Sequence, residues 1–122
     1  MENLLALRRQ KAKLFETYFF NAGIKTLHVS NHCKSSYTKF PIVLEKENSK
    51  PKILKSLRAS GVPVEYDYKP CHTSPFFSKY KKGETYPNSE YFAKRLVPLP
   101  IKGSIGTKTV EKIASIVIDS LP

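Results

Sequence analysis

The chain of 122 residues contains no tryptophan and only two cysteines, and it has no long hydrophobic run. Cys33 and Cys71 are too few for the disulfide framework of small secreted domains, so we expect reduced thiols in a cytoplasmic protein. No segment approaches the roughly 20 consecutive apolar residues that a membrane-spanning helix needs. The first residues, in which charge follows a short apolar stretch, do not resemble a signal peptide. The sequence therefore predicts neither a disulfide-stabilised secreted domain nor a membrane protein.

Acidic residues are also scarce: ten Asp and Glu stand against 21 Lys and Arg, which gives a formal charge of +11. Such an excess favours anionic partners, including nucleic acid and phosphorylated small molecules. The basic residues are dispersed along the chain, however, and this distribution is equally typical of a lysine-rich surface. The charge alone identifies no site.

Hydrophobic periodicity predicts one α+β domain over residues 1–122, with a small, mostly antiparallel sheet covered by helices on one face. The predicted elements are helices over residues 2–22, 49–60, 88–95 and 107–121, strands over residues 24–29, 37–44 and 62–68, and an extended segment over residues 97–101. Gly23 and Gly61 are placed to end the first two helices. Pro41 lacks a backbone donor, which predicts an edge strand or a bulge at that point. Tyr91, Phe92 and Leu96 are expected to face inward.

Cysteine and histidine side chains raise the question of a metal centre or a nucleophile. The potential ligands are His28, His32, Cys33, Cys71 and His72. No Cys-x-x-Cys pair occurs and residues 28–33 do not have a helical pattern, so we expect no metal site. Cys71 and His72 are neighbours in sequence, but this does not establish a thiolate–imidazole contact, and no third orienting group is evident. We therefore expect no catalytic residue in this chain.

Residues 69–87 form a long predicted loop in which aromatic rings, hydroxyls and ammonium groups alternate. Aromatic rings can stack on bases and lysines can pair with phosphates, so this chemistry suits single-stranded nucleic acid. It suits a nucleotide-linked small molecule equally well. A third interpretation is that Phe76 and Phe77 anchor the loop onto the core of the chain or onto another domain.

Several short motifs follow one another in an informative order. They are Arg8-Arg9 on the first helix, Tyr37-Thr38-Lys39-Phe40-Pro41-Ile42, Tyr68-Lys69-Pro70-Cys71-His72 followed by Pro75-Phe76-Phe77, Tyr86-Pro87-Asn88-Ser89-Glu90, and Leu96-Val97-Pro98-Leu99-Pro100. In this order and spacing the chain resembles the C-terminal small domain of the DegT/StrS-type sugar aminotransferases, which are pyridoxal-phosphate enzymes acting on nucleotide-linked keto sugars. The similarity covers nearly the whole chain.

The resemblance implies a small domain that packs on a pyridoxal-phosphate domain and helps to close the substrate pocket. The helix over residues 1–22 would be the linker that packs on the large domain. In the family the Tyr-x-Pro-x-His loop lies toward the pocket, so Tyr68 and His72 are candidates for substrate contact. Lys79 and Lys81 are candidates for the nucleotide diphosphate because of their charge.

The resemblance also implies what this chain lacks. The lysine that forms a Schiff base, the aspartate on the pyridine nitrogen and the hydroxyls on the cofactor phosphate belong to the family's large domain. We therefore expect that the chain alone neither holds pyridoxal phosphate nor catalyses amino transfer. It would be a truncated product, or a subunit that complements a separately encoded large domain and self-associates through its first helix when that domain is missing. The alternatives are a small basic nucleic-acid-binding module and a protein-interaction domain.

Overall fold

The sheet and helices come from a computed structural model that describes residues 2–64, 69–102 and 104–122. The helices are α1 (Glu2–Asn21), α2 (Ser49–Ala59), α3 (Pro87–Arg95) and α4 (Thr107–Asp119); the strands are β1 (Lys25–Thr26), β2 (Lys39–Val43) and β3 (Leu96–Pro100). The strands form one antiparallel sheet in the order β1-β2-β3. The predicted α+β class with a small antiparallel sheet is therefore confirmed. Within the described ranges, no helix has the length and apolar character needed to cross a membrane.

The core lies between the sheet and the helices α1, α2 and α4. Alternate residues of β2 and β3 point into it, as the two-residue period of a strand requires. Phe15 of α1 packs on Phe40 of β2 with ring centroids 5.1 Å apart, and it also stacks on Phe19 at 5.7 Å. The fully buried large side chains are Phe15, Phe19, Ile42, Ile53, Leu57, Val97, Leu99, Ile101, Val110, Ile113 and Val117. Each contributes about 1.5–3 kcal/mol of hydrophobic stabilisation.

Two glycines end helices as the sequence predicts. Gly23 follows α1 with φ 72° and Gly61 follows α2 with φ 79°. Both angles lie in the left-handed region, which glycine enters without a Cβ penalty. The chain can therefore change direction immediately after each helix.

The prediction of an edge strand or a bulge at Pro41 is wrong, because β2 is the middle strand and its register with β3 is continuous. Pro41 lies opposite Pro98. Three residues further on, Leu44 N–H donates to Arg95 C=O at 2.9 Å. Since hydrogen-bonded and non-hydrogen-bonded pairs alternate in an antiparallel ladder, the two prolines occupy a pair that places no N–H between the strands. On its other side β2 pairs with β1 only through its last two residues, so the missing donor falls past the end of β1.

The expected inward orientation of Tyr91 and Phe92 is also wrong. Their side chains are 45% and 37% exposed, and α3 has no buried residue. The guanidinium of Arg95 instead lies over the Tyr91 ring, with Cζ 4.1 Å from the ring centroid. A polar contact links the helix to α2, because Lys50 Nζ donates to Ala93 C=O at 2.6 Å. An aromatic pair on a nine-residue helix therefore does not mark a core face here.

The strand predicted over residues 62–68 is not observed in its described part. Residues 62–64 are described and are not in a strand, although Val62 and Val64 are buried. Val62 N–H donates to Leu57 C=O at 3.0 Å, and an Arg58 guanidinium nitrogen donates to Val64 C=O at 3.3 Å. Residues 65–68 lie outside the described residues. The alternation of valines thus marks a buried connection after α2.

Candidate functional site

The loop over residues 69–87 is built from short turns that its own hydroxyl groups stabilise. It contains two 3₁₀ turns, Cys71–Thr73 and Ser78–Tyr80. Thr73 Oγ1 donates to Pro70 C=O at 2.7 Å, and Ser74 Oγ accepts from Phe77 N–H at 3.2 Å. Serine and threonine side chains commonly stabilise turns in this way. These hydroxyls therefore serve the backbone of the loop.

His72 is held against the start of α3. Its Nε2 lies 3.2 Å from Glu90 Oε1, and its ring packs on Tyr86 with centroids 4.6 Å apart and planes inclined by 31°. The His72 side chain is 10% exposed, whereas that of Glu90 is 50% exposed. Tyr86 precedes the first residue of α3 and Glu90 lies four positions later, so one face of the first helical turn supplies both contacts.

Tyr86 contacts a second carboxylate, that of Glu84. Its hydroxyl donates to Glu84 Oε2 at 2.6 Å. This hydrogen bond raises the pKa of Tyr86 above its ordinary value of 10.0, and partial desolvation and the charge of Glu84 act in the same direction. Tyr86 therefore stays a neutral donor throughout the physiological pH range.

A pocket of about 350 Å³ opens beside the His72 ring. It is lined by Cys71, His72, Phe77, Tyr80, Lys81, Tyr86 and Ser89. Two of the sequence candidates, His72 and Lys81, thus share one cavity. Lys79 does not line it, because its Nζ lies over the rings of Phe76 and Tyr80, 4.9 and 5.2 Å from their centroids. Tyr68 lies outside the described residues.

The loop aromatics do not anchor the loop in the core of the chain. Phe76, Phe77 and Tyr80 are 62%, 50% and 61% exposed. They contact one another instead: Phe76 and Phe77 meet edge to face, with centroids 4.9 Å apart. Of the three sequence interpretations of this loop, packing onto its own core is therefore wrong. A ligand or another domain remains as the explanation for these rings.

Neither cysteine contributes to a metal centre in the described part of the chain. Cys33 and Cys71 are exposed free thiols, and no group of three potential ligands occurs among the residues that the structure describes. His72, the neighbour of Cys71, is engaged by Glu90. The adjacency in sequence therefore has no catalytic counterpart in these contacts.

Sequence reasoning did not identify Tyr86 and Glu90 as partners of His72. Their spacing of four at a helix start was the available signal, but nothing local connects Tyr86 and Glu90 to a histidine that lies 14 and 18 positions before them. It also missed a groove of about 680 Å³ between α2 and α3, lined in part by Lys50, Lys55 and Arg58. These sites depend on tertiary packing.

The described residues do not fit pyridoxal phosphate. The cofactor needs a lysine amine together with groups for its phosphate and its pyridine nitrogen. Lys50 is the buried lysine of the described ranges, and its Nζ donates to a backbone carbonyl. The pocket at His72 offers the exposed Lys81, but it contains no carboxylate among its lining residues. No chemical step through the cofactor follows from these residues.

Solved structures share this fold over almost the whole chain. PseC of Helicobacter pylori, an aminotransferase involved in the biosynthesis of pseudoaminic acid, matches with a TM-score of 0.81 and 24% identity, over 96% of this chain and 32% of its own. The aminotransferase TlmJ from Streptoalloteichus hindustanus gives 0.85 and 19%, over 98% and 32%. An aminotransferase from Brucella abortus gives 0.79 and 21%, over 95% and 31%. The chain thus spans about a third of the length of these structures.

Comparison with protein families identifies the family of this chain. A search of curated proteins found no significant match. The sequence model of the DegT/DnrJ/EryC1/StrS aminotransferase family matches residues 1–118. The resemblance seen in the motifs, the shared fold and this match agree, and the chain belongs to the DegT/DnrJ/EryC1/StrS aminotransferase family.

Proposed function

We propose that this chain is the C-terminal small domain of a nucleotide-sugar aminotransferase, and that it helps to close the substrate pocket without catalysing amino transfer alone. One observation carries the proposal. Relatives of the family's fold cover 95–98% of this chain, yet the chain spans only 31–32% of theirs. A domain that is matched almost completely by a third of each relative is expected to perform part of the relatives' task.

In an intact enzyme, the cofactor domain would carry amino transfer from a donor amino acid, usually glutamate, to a nucleotide-linked keto sugar. The part assigned to this chain is recognition. His72 offers an imidazole to a substrate hydroxyl, and Lys81 offers an ammonium group to the diphosphate from the same pocket. Lys79, whose Nζ lies over the exposed rings of Phe76 and Tyr80, is assigned to the same anion. We retain Tyr68, from the Tyr-x-Pro-x-His motif, as a further substrate contact.

The proposed partner is a pyridoxal-phosphate domain. Helix α1 buries Ala12, Phe15 and Phe19 in the core of this chain, but it leaves Leu4 and Leu7 about two-fifths exposed. Exposed leucines one turn apart on a helix suit a contact with another protein surface. The exposed thiols of Cys33 and Cys71 suit the reducing cytoplasm, where we place the protein. The comparisons lend no support to a nucleic-acid-binding module.

The test of catalysis uses the purified chain. It is supplied with pyridoxal phosphate, glutamate and a UDP-linked 4-keto sugar, and the formation of 2-oxoglutarate is followed. We expect no turnover above that of a lysine-rich control protein of similar charge. Turnover by the purified chain would overturn the proposal that it is not catalytic alone.

The test of recognition is a titration of the ¹⁵N-labelled chain with UDP, followed by backbone amide shifts. We expect the changes to concentrate on residues 71–90, and to shrink at least threefold in His72→Ala. The control is His32→Ala, which changes an exposed histidine far along the chain from the pocket. Changes spread evenly over the lysine-rich surface, or equal in the two variants, would contradict a substrate site at His72.

A further inference from the structure

We propose that Glu90 is a positioning residue for His72, which holds the imidazole with its proton on Nε2 so that Nδ1 accepts a hydrogen bond from a hydroxyl or N–H group of the substrate. The inference rests on the proposed function, because it names the ring atom that a nucleotide-linked sugar would meet. It also assigns a role to Glu90, which the motif Tyr86-Pro87-Asn88-Ser89-Glu90 includes without giving it one.

The tautomer follows from the partner of the ring. Glu90 Oε1 lies 3.2 Å from His72 Nε2. An ionised carboxylate only accepts hydrogen bonds, so the neutral ring must carry its hydrogen on Nε2. Nδ1 has no hydrogen-bond partner among the residues that the structure describes. It is therefore left as an acceptor, and a sugar hydroxyl or a base N–H is the group that it can bind.

The orientation of the ring is fixed from a second direction. Tyr86 packs on the imidazole face at 4.6 Å, and the same residue's carbonyl accepts from Glu90 N–H at 3.1 Å. Tyr86 and Glu90 thus move together as the first turn of α3. Glu90 is also suited to this place, because the positive end of a helix dipole favours a carboxylate in the first turn.

The contact is better suited to orientation than to stability. The Glu90 side chain is half exposed, and ion pairs or hydrogen bonds at such positions contribute little to folding free energy. A small local change at Glu90 should therefore leave the fold intact and alter the ring alone. This makes the effect measurable without a ligand or a partner domain.

The experiment follows the imidazole ¹⁵N signals of the ligand-free chain at pH 8.5. His72 is assigned with His72→Gln. We expect the native chain to show a pyrrole-type Nε2 and a pyridine-type Nδ1. Glu90→Leu removes the acceptor at similar size, so both signals should move toward averaged values as the second tautomer becomes populated. Glu90→Gln keeps an amide oxygen within reach and should restore the native pattern.

Glu84→Leu is the matched control, because Glu84 contacts Tyr86 and not His72. Its His72 signals should equal those of the native chain. A proton on Nδ1 in the native chain, or identical signals in Glu90→Leu and the native chain, would overturn the inference. If the tautomer series behaves as expected but UDP causes no shift at the pocket, the sugar-nucleotide role fails while the orienting effect of Glu90 stands.

Discussion

Tyr37 is the described non-glycine residue with a left-handed backbone, with φ 45°. Its N–H donates to Ser35 Oγ at 3.1 Å, its hydroxyl donates to Glu16 Oε1 at 3.4 Å, and its ring lies 6.1 Å from Phe40. Such a conformation costs on the order of 1–3 kcal/mol and persists only when contacts determine it. The contacts of the Tyr37 side chain with α1 and β2 hold the backbone in this conformation.

The ionisation of Tyr37 predicts a loss of stability at high pH. Burial raises its pKa above 10.0, the charge of Glu16 and the hydrogen bond to it act in the same direction, and Arg9 opposes them. A raised folded-state pKa favours the neutral phenol, so its contribution is present below pH 10 and is lost as the pH rises through the folded pKa. We expect the free energy of unfolding to fall less between pH 9 and pH 11 in Tyr37→Phe than in the native chain.

The measurement is urea denaturation at both pH values. Tyr80→Phe is the control, because the Tyr80 side chain is 61% exposed. The same pH dependence in Tyr37→Phe and the native chain would show that Tyr37 does not couple ionisation to folding.

At the same scale, the sequence identified His72 and Lys81 as site candidates, and the structure places them in one pocket. The sequence could do this because the motif around His72 is continuous. It could not supply Glu90, because that contact spans 18 positions and depends on where α3 docks. Whether His72 and Lys81 contact substrate stays a prediction.

Among the elements, the end of α2 offers a direct test of backbone conformation. Gly61 has φ 79°, and a Cβ placed there would meet no atom within 4 Å. The cost of a side chain is therefore conformational and not steric. We expect Gly61→Ala to lower the free energy of unfolding by about 1 kcal/mol. Gly61→Asn should cost less, since asparagine tolerates the left-handed region. Equal losses in the two variants, by chemical denaturation, would contradict this explanation.

The junction of α2 and α3 depends on a buried lysine. Lys50 is 6% exposed, and its Nζ donates to the Ala93 carbonyl in the last turn of α3. A cation there also suits the negative end of the helix dipole. We expect Lys50→Met, which keeps the apolar stem, to lower stability by about 1–3 kcal/mol because the carbonyl loses its donor. Lys52→Met, at an exposed position of the same helix, should change it by less than about 0.5 kcal/mol. Similar thermal unfolding curves for the two variants would argue against the link.

Sequence patterns predicted the elements unevenly for physical reasons. The buried residues of α4 recur at i, i+3, i+4 and i+7 from Val110, so its buried face could be predicted from the sequence. The position of β2 in the sheet was predicted wrongly from Pro41, because a proline shows only that one backbone donor is missing. It does not show which strands pair with its own strand. Tyr91 and Phe92 were misjudged because a helix of nine residues can dock through polar groups. The helices and strand β2 were thus largely predictable, whereas β3 was predicted only as an extended segment and the contacts between the elements were not predicted.

At the scale of the whole molecule, apolar surface remains on the outside of a strongly basic chain. Leu4 and Leu7 on α1 are 41% and 42% exposed, and Phe76 is 62% exposed in the loop. If α1 normally contacts a large domain, the isolated chain should self-associate through it. We expect sedimentation velocity to show a mass that rises with concentration, and Leu4→Gln combined with Leu7→Gln to reduce this at least threefold.

Phe76→Ser is the matched control at an exposed apolar residue outside α1 and should leave that association unchanged. Higher salt should strengthen self-association, because it screens the repulsion between chains of charge +11. A strictly monomeric species at millimolar concentration would remove α1 as an association surface.

The turns of the loop over residues 69–87 have a thermodynamic consequence. Because Thr73, Ser74 and Ser78 already tie their own backbone through hydrogen bonds of 2.7–3.2 Å, the segment has a defined shape before it meets anything. Binding of a ligand or partner would then not carry the entropic cost of ordering a flexible loop. Calorimetry should record a heat-capacity change that reflects only the surface buried at the contact, with no contribution from folding of the loop.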